Sequence, residues 1–194
     1  MAIGTETGAR TDAGGRRSRL AHGLPMAAVL GVLAVVAVGP NPLLLGLLYV
    51  AAVTADLVRI DVESRRLPNR IVLPGYPIAL TGVALHGALT GIPPILPLAT
   101  GAAWFVFFLV FNLGGGMGMG DVKLAGVLGL CLGSIGPGQA LIGLALAFLF
   151  GGIAGILILV RRVGGRDTRI PFGPFLLAGF WVAVALSPAL ASSS

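Results

Sequence analysis

Seven long apolar runs, separated by short connections, constrain the fold of this 194-residue chain more than any other feature. They cover residues 20–38, 42–60, 71–89, 95–113, 122–135, 138–160 and 170–190. A helix of about 20 residues rises about 30 Å, which is the thickness of the hydrocarbon core of a bilayer. Because only 10% of the residues are charged, a water-soluble globule would lack the polar surface it needs. The pattern predicts an all-α, polytopic membrane protein with about seven transmembrane helices.

The same pattern predicts the domain boundaries. Residues 1–19 are polar and rich in glycine and arginine, and they are predicted to be a disordered cytoplasmic tail. Residues 20–190 are predicted to form a single transmembrane domain. The run 20–38 follows basic residues, as a signal peptide would, but no small-x-small cleavage site comes after it, so we expect an uncleaved helix. The run 122–135 is short, and we expect neighbouring helices to shelter it from lipid.

The basic residues predict the orientation in the membrane. All 13 Lys and Arg residues fall in four segments that seven crossings place on one side. They are Arg10, Arg16, Arg17, Arg19, Arg59, Arg65, Arg66, Arg70, Lys123, Arg161, Arg162, Arg166 and Arg169. By the positive-inside rule this side is the cytoplasm, so the N-terminus is predicted inside and the C-terminus outside. This placement, rather than a basic patch on a soluble domain, argues against a nucleic-acid partner.

Two carboxylates from distant segments are predicted to meet at the cytoplasmic boundary. Asp61 lies just past the second run, and Asp121 lies just before the fifth. Carboxylates at the membrane boundary are costly in a chain with so few charges, so both are candidate functional residues. Asp56, inside the second run, is expected to pair with Arg59, or else to tune the carboxylates or bind substrate. Glu63 is expected to be a solvated loop residue.

The segment 61–69, which reads DVESRRLPN, carries the first of three cytoplasmic motifs. Pro68 disfavours helix at the residue before it, and Asn69 is predicted to be the N-cap of a helix that begins near Arg70. The segment therefore predicts a helix end, a turn and a helix start, which is also what an ordinary solvated loop would show.

The other two motifs are rich in glycine and proline. Residues 114–120 contain five glycines, which predict a non-helical loop with unusual backbone angles, and Asp121 then opens the next helix. The segment 169–175, which reads RIPFGPF, places Pro171 in the first turn of the last helix. Taken singly, the first segment is equally compatible with a flexible turn that Asp121 caps, and the second with an ordinary helix entry.

Together the three motifs resemble the type IV prepilin leader peptidases. GMGD at 118–121, followed by VKL, resembles the GxGD signature of membrane-embedded aspartyl proteases. The arrangement at 61–69 and RIPFGPFL at 169–176 resemble the prepilin peptidases themselves. The resemblance covers about residues 45–180 and implies a GxGD aspartyl protease-like bundle with Asp61 and Asp121 as catalytic residues. It implies substrate-binding or loop-support roles for Gly118, Gly120, Pro68, Asn69, Lys123, Pro171 and Gly173.

The chemistry of such a pair follows from its charges. Two nearby carboxylates cannot both ionise cheaply, so they share one proton. The ionised group takes a proton from water, and the protonated group donates to the scissile carbonyl oxygen. No cofactor and no metal are expected, since His22 and His86 fall on opposite sides of the membrane in this topology. Gly118 and Gly120 are predicted to use positive φ angles, so that the loop re-aims Asp121 when substrate arrives.

The resemblance also implies a substrate and a location. It implies an aspartic endopeptidase in the bacterial cytoplasmic (inner) membrane that removes the basic leader of type IV prepilin or pseudopilin precursors. Its partners would be the hydrophobic helix of that precursor and the lipid bilayer. Relatives that also N-methylate their product generally carry paired CxxC motifs in an extra N-terminal region. This chain has one cysteine, Cys131, so we expect no methyltransferase activity.

Three alternative functions are also considered from the sequence. A small proton-coupled transporter or channel could use Asp56, Asp61 and Asp121, although the internal repeats typical of transporters are not evident. A non-catalytic assembly factor is disfavoured because both aspartates are intact. An archaeal preflagellin peptidase shares the two aspartates, but the PFGP stretch favours the bacterial group. The sequence carries no signal for oligomeric state or for the pilus or secretion system that the substrate serves.

Overall fold

The structure is a computed structural model that describes residues 7–161 and 171–191. These residues form eight helices. These are α1 (Thr7–Val38), α2 (Leu44–Ser64), α3 (Asn69–Val72), α4 (Gly75–Thr90), α5 (Ile95–Leu113), α6 (Met119–Ile135), α7 (Pro137–Arg161) and α8 (Gly173–Ala191). The described residues contain no β-strand, so the all-α prediction is confirmed. With α3 and α4 counted as one apolar segment, the number of long segments is the predicted seven.

The outer surface of this bundle is apolar. Among the described residues, three segments are long and apolar enough to cross a membrane: Asn69–Thr90, Ile95–Leu113 and Pro137–Leu157. Large side chains such as Leu89 and Ile95, each 70% exposed, face outward from these segments. A water-soluble protein rarely exposes so many large apolar side chains together. The chain is therefore a helical membrane bundle.

Helix α6 lies at the centre of the bundle and packs against α4, α5, α7 and α8. From Val122 to Gly133 almost every one of its side chains is buried, so the prediction that neighbours shelter this short helix is confirmed. Glycine allows the close approach of α5: a Cβ atom at Gly129 would lie 2.7 Å from Cγ of Trp104. Small residues at a helix interface permit such contact between membrane helices.

The observed helix boundaries differ from the predicted ones at three places. Helix α1 begins at Thr7, whereas 1–19 was predicted to be a tail; residues 1–6 lie outside the described part, and the division into tail and domain stays a prediction. The predicted run 71–89 is divided into α3 and α4, because Pro74 lacks the N–H that a continuing helix would need. Helix α8 begins at Gly173, three residues after the predicted start.

Candidate active site

Asp61 lies in the last turn of α2 and is only 3% exposed. The α2 helix ends just after it, where the backbone N–H of Arg65 donates to the carbonyl oxygen of Asp61 at 2.8 Å. Arg65 has a φ of 52°, a left-handed conformation that is uncommon for a residue other than glycine. Helix α2 ends at this turn, and the Asp61 carboxyl faces the start of α8.

The carboxyl of Asp61 is held by α8. The backbone N–H of Gly173 donates to Oδ2 of Asp61 at 3.0 Å, across 112 residues of sequence. A Cβ atom at position 173 would lie 2.7 Å from that same oxygen, so a side chain there would displace the carboxyl. The first and third sequence motifs thus meet at one hydrogen bond, which the backbone of Gly173 donates.

Asp121 lies in the first turn of α6 and is 8% exposed. Its Oδ1 atom is buried and has no hydrogen-bond partner among the described residues. Leaving a buried carboxylate oxygen unpaired costs free energy, and the cost is larger when the group is ionised. The environment of Asp121 therefore favours the protonated carboxyl.

Leu67 joins the three motifs. A Cβ atom at Gly120 would lie 2.8 Å from Cβ of Leu67, and one at Gly173 would lie 3.5 Å from its Cδ1. Leu67 itself is 8% exposed. The loop after α2 therefore packs directly on the starts of α6 and α8. Sequence reasoning missed Leu67, although a single apolar residue between Arg66 and Pro68 is a signal that could have found it.

A polar contact ties α3 to α6 beside these loops. Nζ of Lys123 donates to Oδ1 of Asn69 at 3.0 Å, and the Tyr76 hydroxyl donates to the Lys123 carbonyl oxygen at 2.9 Å. Asn69 is the first residue of α3, and Pro68 occupies the N-cap position. The predicted N-cap role of Asn69 is therefore wrong, since its side chain bonds to another helix instead.

Asp56 lies apart from the buried pair. It is exposed on α2, while Nε of Arg59 bonds to Oε1 of Glu63 at 2.9 Å. The predicted Asp56–Arg59 pair is wrong, because α2 continues to Ser64 and so places Glu63 one helical turn after Arg59. Glu63 is exposed as expected, but it belongs to the helix and not to a loop.

The predicted backbone roles of three loop residues also need correction. Gly118 has a φ of −77° and Gly120 lies inside α6, whereas the positive φ of this loop belongs to Gly115, at 76°. Gly120 is needed for its close approach to Leu67, not for its backbone angle. Pro171 precedes α8 and does not lie in its first turn, because that helix starts only at Gly173.

The charge of the Asp61 carboxyl affects the ionisation of the Asp121 carboxyl. Both groups lie outside the three segments that are long enough to cross a membrane. Burial, together with the charge of Asp61, raises the pKa of Asp121 to about 7, against the effect of a hydrogen bond from the Gly118 backbone. Burial also raises the pKa of Asp61, while the hydrogen bond from Gly173 lowers it. Leu67 packs against Gly120, the residue before Asp121, and against Gly173, which bonds to Asp61, so both aspartates lie beside the same loop. The donor at Asp61 favours the ionised form of that carboxyl, and the unpartnered oxygen at Asp121 favours the protonated form of the other.

No metal centre accompanies this pair in the part of the chain that the structure describes. No group of three or more His, Cys, Asp or Glu side chains is placed there to hold a metal ion. The single cysteine, Cys131, is buried in α6.

Comparisons with known proteins identify relatives of this chain. Curated relatives are named prepilin leader peptidase/N-methyltransferase. The one from Aeromonas salmonicida is 33% identical over 168 residues, which cover 82% of this chain and 55% of the relative. Those from Pseudomonas putida and Pseudomonas aeruginosa are 34% and 33% identical, over 64% of this chain and 44% and 43% of their own lengths. The chain thus spans about half the length of the curated relatives it matches. No solved structure matches it.

The family comparison covers the core of the bundle and both aspartates. The model of the type IV leader peptidase family matches residues 42–160, which is more than half of the chain. Asp61 and Asp121 both fall inside this range, and the Gly173 segment follows it. With its buried aspartate pair on α2 and α6, the chain belongs to the type IV leader peptidase family.

Proposed function

We propose that this protein is a membrane-embedded aspartic endopeptidase that removes the leader from type IV prepilin-like precursors. The observation that carries the proposal is the pair of buried carboxyls, Asp61 and Asp121, brought into one electrostatic unit from helices α2 and α6. The printed names of the relatives, which include prepilin leader peptidase, support the same activity.

The geometry supports different roles for the two carboxyls. Asp61, whose ionised form is stabilised by the Gly173 N–H, takes a proton from a water molecule as the water oxygen attacks the scissile carbonyl carbon. Asp121 donates its proton to the carbonyl oxygen at the same step. When the tetrahedral intermediate collapses, Asp61 passes its proton to the leaving amine and Asp121 recovers its own. No covalent bond to the enzyme forms.

The position of the site suits a membrane-anchored substrate. Asp61 lies near the end of α2 and Asp121 near the start of α6, so both lie at one end of the bundle. The distribution of basic residues supports assigning this end to the cytoplasm, with the N-terminus inside and the C-terminus outside. There the basic leader of a precursor would stay in the cytoplasm while its hydrophobic helix stays in the bacterial inner membrane.

The exposure of Asp56 does not support the transporter alternative. A proton path would need its ionisable groups to face the bundle interior. Asp56 is exposed on α2, whereas Asp61 and Asp121 are buried. The three carboxylates therefore do not line a common interior path.

Co-expression tests the proposed activity. The full chain is expressed with candidate prepilins in bacteria that lack their own prepilin peptidase, and leader removal is followed as a size shift. We expect a shift with at least one precursor and none when the glycine that ends its leader is replaced. If every pilin and pseudopilin precursor stays full-length while the protein is present in the membrane, the proposed activity is wrong.

A further inference from the structure

Phe172 occupies a cage of aromatic side chains next to the aspartate pair. Its ring centroid lies 5.5 Å from that of Phe148 on α7 and 6.1 Å from that of Phe108 on α5. Phe108 is fully buried, so the cage is part of the bundle core. Aromatic pairs at such distances stabilise a structure beyond the effect of the area they bury. The ring thus packs against α5 and α7, which carry neither aspartate.

The backbone of Phe172 starts α8. Its carbonyl oxygen accepts the N–H groups of Phe175 and Leu176, each at 3.1 Å. The next residue along the chain, Gly173, donates its free N–H to Oδ2 of Asp61. The first N–H groups of a helix have no partner within it, and they favour a negative charge placed near them. The location of this donor therefore depends on where the Phe172 ring holds the start of α8.

We infer that Phe172 is a positioning residue for Asp61: its ring, packed against Phe108 and Phe148, aims the Gly173 N–H at the carboxylate that activates water. This inference rests on the proposed peptidase function. A displaced ring would shift the start of α8, weaken the hydrogen bond to Asp61 and leave the base in the wrong place. We expect this displacement to slow the chemical step more than it weakens substrate binding.

Two neighbouring glycines on α7 allow a matched test. A Cβ atom at Gly151 would lie 2.6 Å from Cε2 of Phe172, so Gly151→Ala pushes on the ring. A Cβ atom at Gly152 would have nothing within 4 Å, so Gly152→Ala adds the same methyl group to open space. Neither glycine touches either aspartate. The two variants differ in whether the added methyl group reaches Phe172.

The measurement is prepilin cleavage by the purified full chain, with kcat and KM determined separately. Gly151→Ala should lower kcat about 10-fold or more with KM little changed, because misplacing a catalytic group slows the chemical step. Gly152→Ala should keep the parental kcat and KM. Phe172→Leu removes the aromatic ring while keeping the position apolar, and it should likewise lower kcat with KM little changed. It replaces Gly151→Ala in the test if that variant does not fold.

Other outcomes separate the two claims. If the parental protein cleaves but folded Gly151→Ala and Phe172→Leu keep the parental kcat, the positioning role is wrong and the peptidase function stands. A rise in KM at constant kcat would also overturn the positioning role, since Phe172 would then act in substrate binding. A parental protein that cleaves no precursor contradicts the proposed function itself.

Discussion

At the scale of single residues, the two aspartates differ in the partners that the fold supplies. Asp61 receives a backbone N–H, whereas Oδ1 of Asp121 is buried with no partner among the described residues. Under the proposed function, these different surroundings suit Asp61 to act as the base and Asp121 to act as the acid. The GxGD and Pro-Asn motifs predicted both residues from the sequence. The Gly173 donor could not be assigned this role, because the hydrogen bond links segments 112 residues apart.

The pH dependence of cleavage should report this division of roles. Above its pKa of about 7, Asp121 loses the proton that it donates, so the rate should fall as the pH rises through this value. At low pH Asp61 becomes protonated and cannot accept a proton from water. We expect a bell-shaped plot of kcat/KM against pH for the full chain in detergent, and the same plot for Glu63→Gln. A rate that keeps climbing well above neutral pH would contradict the assignment of the acid.

At the scale of the helices and loops, glycine permits close contacts that the sequence pattern alone could not locate. Sequence reasoning assigned Gly118 and Gly120 to the same loop role, but only Gly120 packs on Leu67. The long apolar runs were predicted well because burial in lipid requires continuous helices. The contact of the α6 start with the loop after α2 depends on tertiary packing, and no local pattern specifies it.

The two glycines should therefore respond differently to alanine. Gly120→Ala forces a Cβ atom to within 2.8 Å of Cβ of Leu67. It should lower cleavage about 10-fold or more, because it pushes the start of α6, which carries Asp121, away from the loop that follows Asp61. Gly118→Ala, whose nearest contact would be 3.4 Å from Oδ2 of Asp121, should stay near the parental rate. Cleavage assays on both purified variants make the comparison. Equal rates for the two would show that the close approach of Gly120 does not matter.

The packing of α5 on α6 can be tested through stability. Gly129→Ala would place a Cβ atom 2.7 Å from Cγ of Trp104 and should reduce the free energy of unfolding by about 1–3 kcal/mol, as overpacking of a core does. The control is Gly138→Ala near the start of α7, where an added Cβ atom meets nothing within 4 Å. Thermal unfolding in detergent should show a lower midpoint for the first variant alone. Unchanged midpoints in both variants would contradict a stabilising close contact between α5 and α6 at Gly129.

At the scale of the whole molecule, some features of the bundle could be predicted from the sequence and others could not. The apolar outer surface was predicted from the composition, and the burial of α6 was predicted from the short length of its apolar run. The aromatic cage around Phe172 was not predicted, because its rings come from α5, α7 and the segment before α8. Which rings meet is decided by how the helices pack together.

The predicted orientation can be checked with single cysteines. Ser64, at the end of α2, and Thr90, at the end of α4, are both exposed and lie at opposite membrane faces in the proposed topology. An impermeant thiol reagent applied to intact cells should label Thr90→Cys and not Ser64→Cys. The parental chain is the blank, since Cys131 is only 4% exposed. Labelling of Ser64→Cys without lysis would reverse the orientation.

The most direct test of catalysis by Asp61 and Asp121 is cleavage by the purified full chain and its asparagine variants, with products identified by mass spectrometry. Asp61→Asn and Asp121→Asn should each abolish leader removal while the proteins remain folded in detergent, because each replaces one member of the pair that shares the proton. Asp56→Asn, a change at an exposed position on α2, should cleave at close to the parental rate. Full activity in either of the first two variants would contradict catalysis by the aspartate pair.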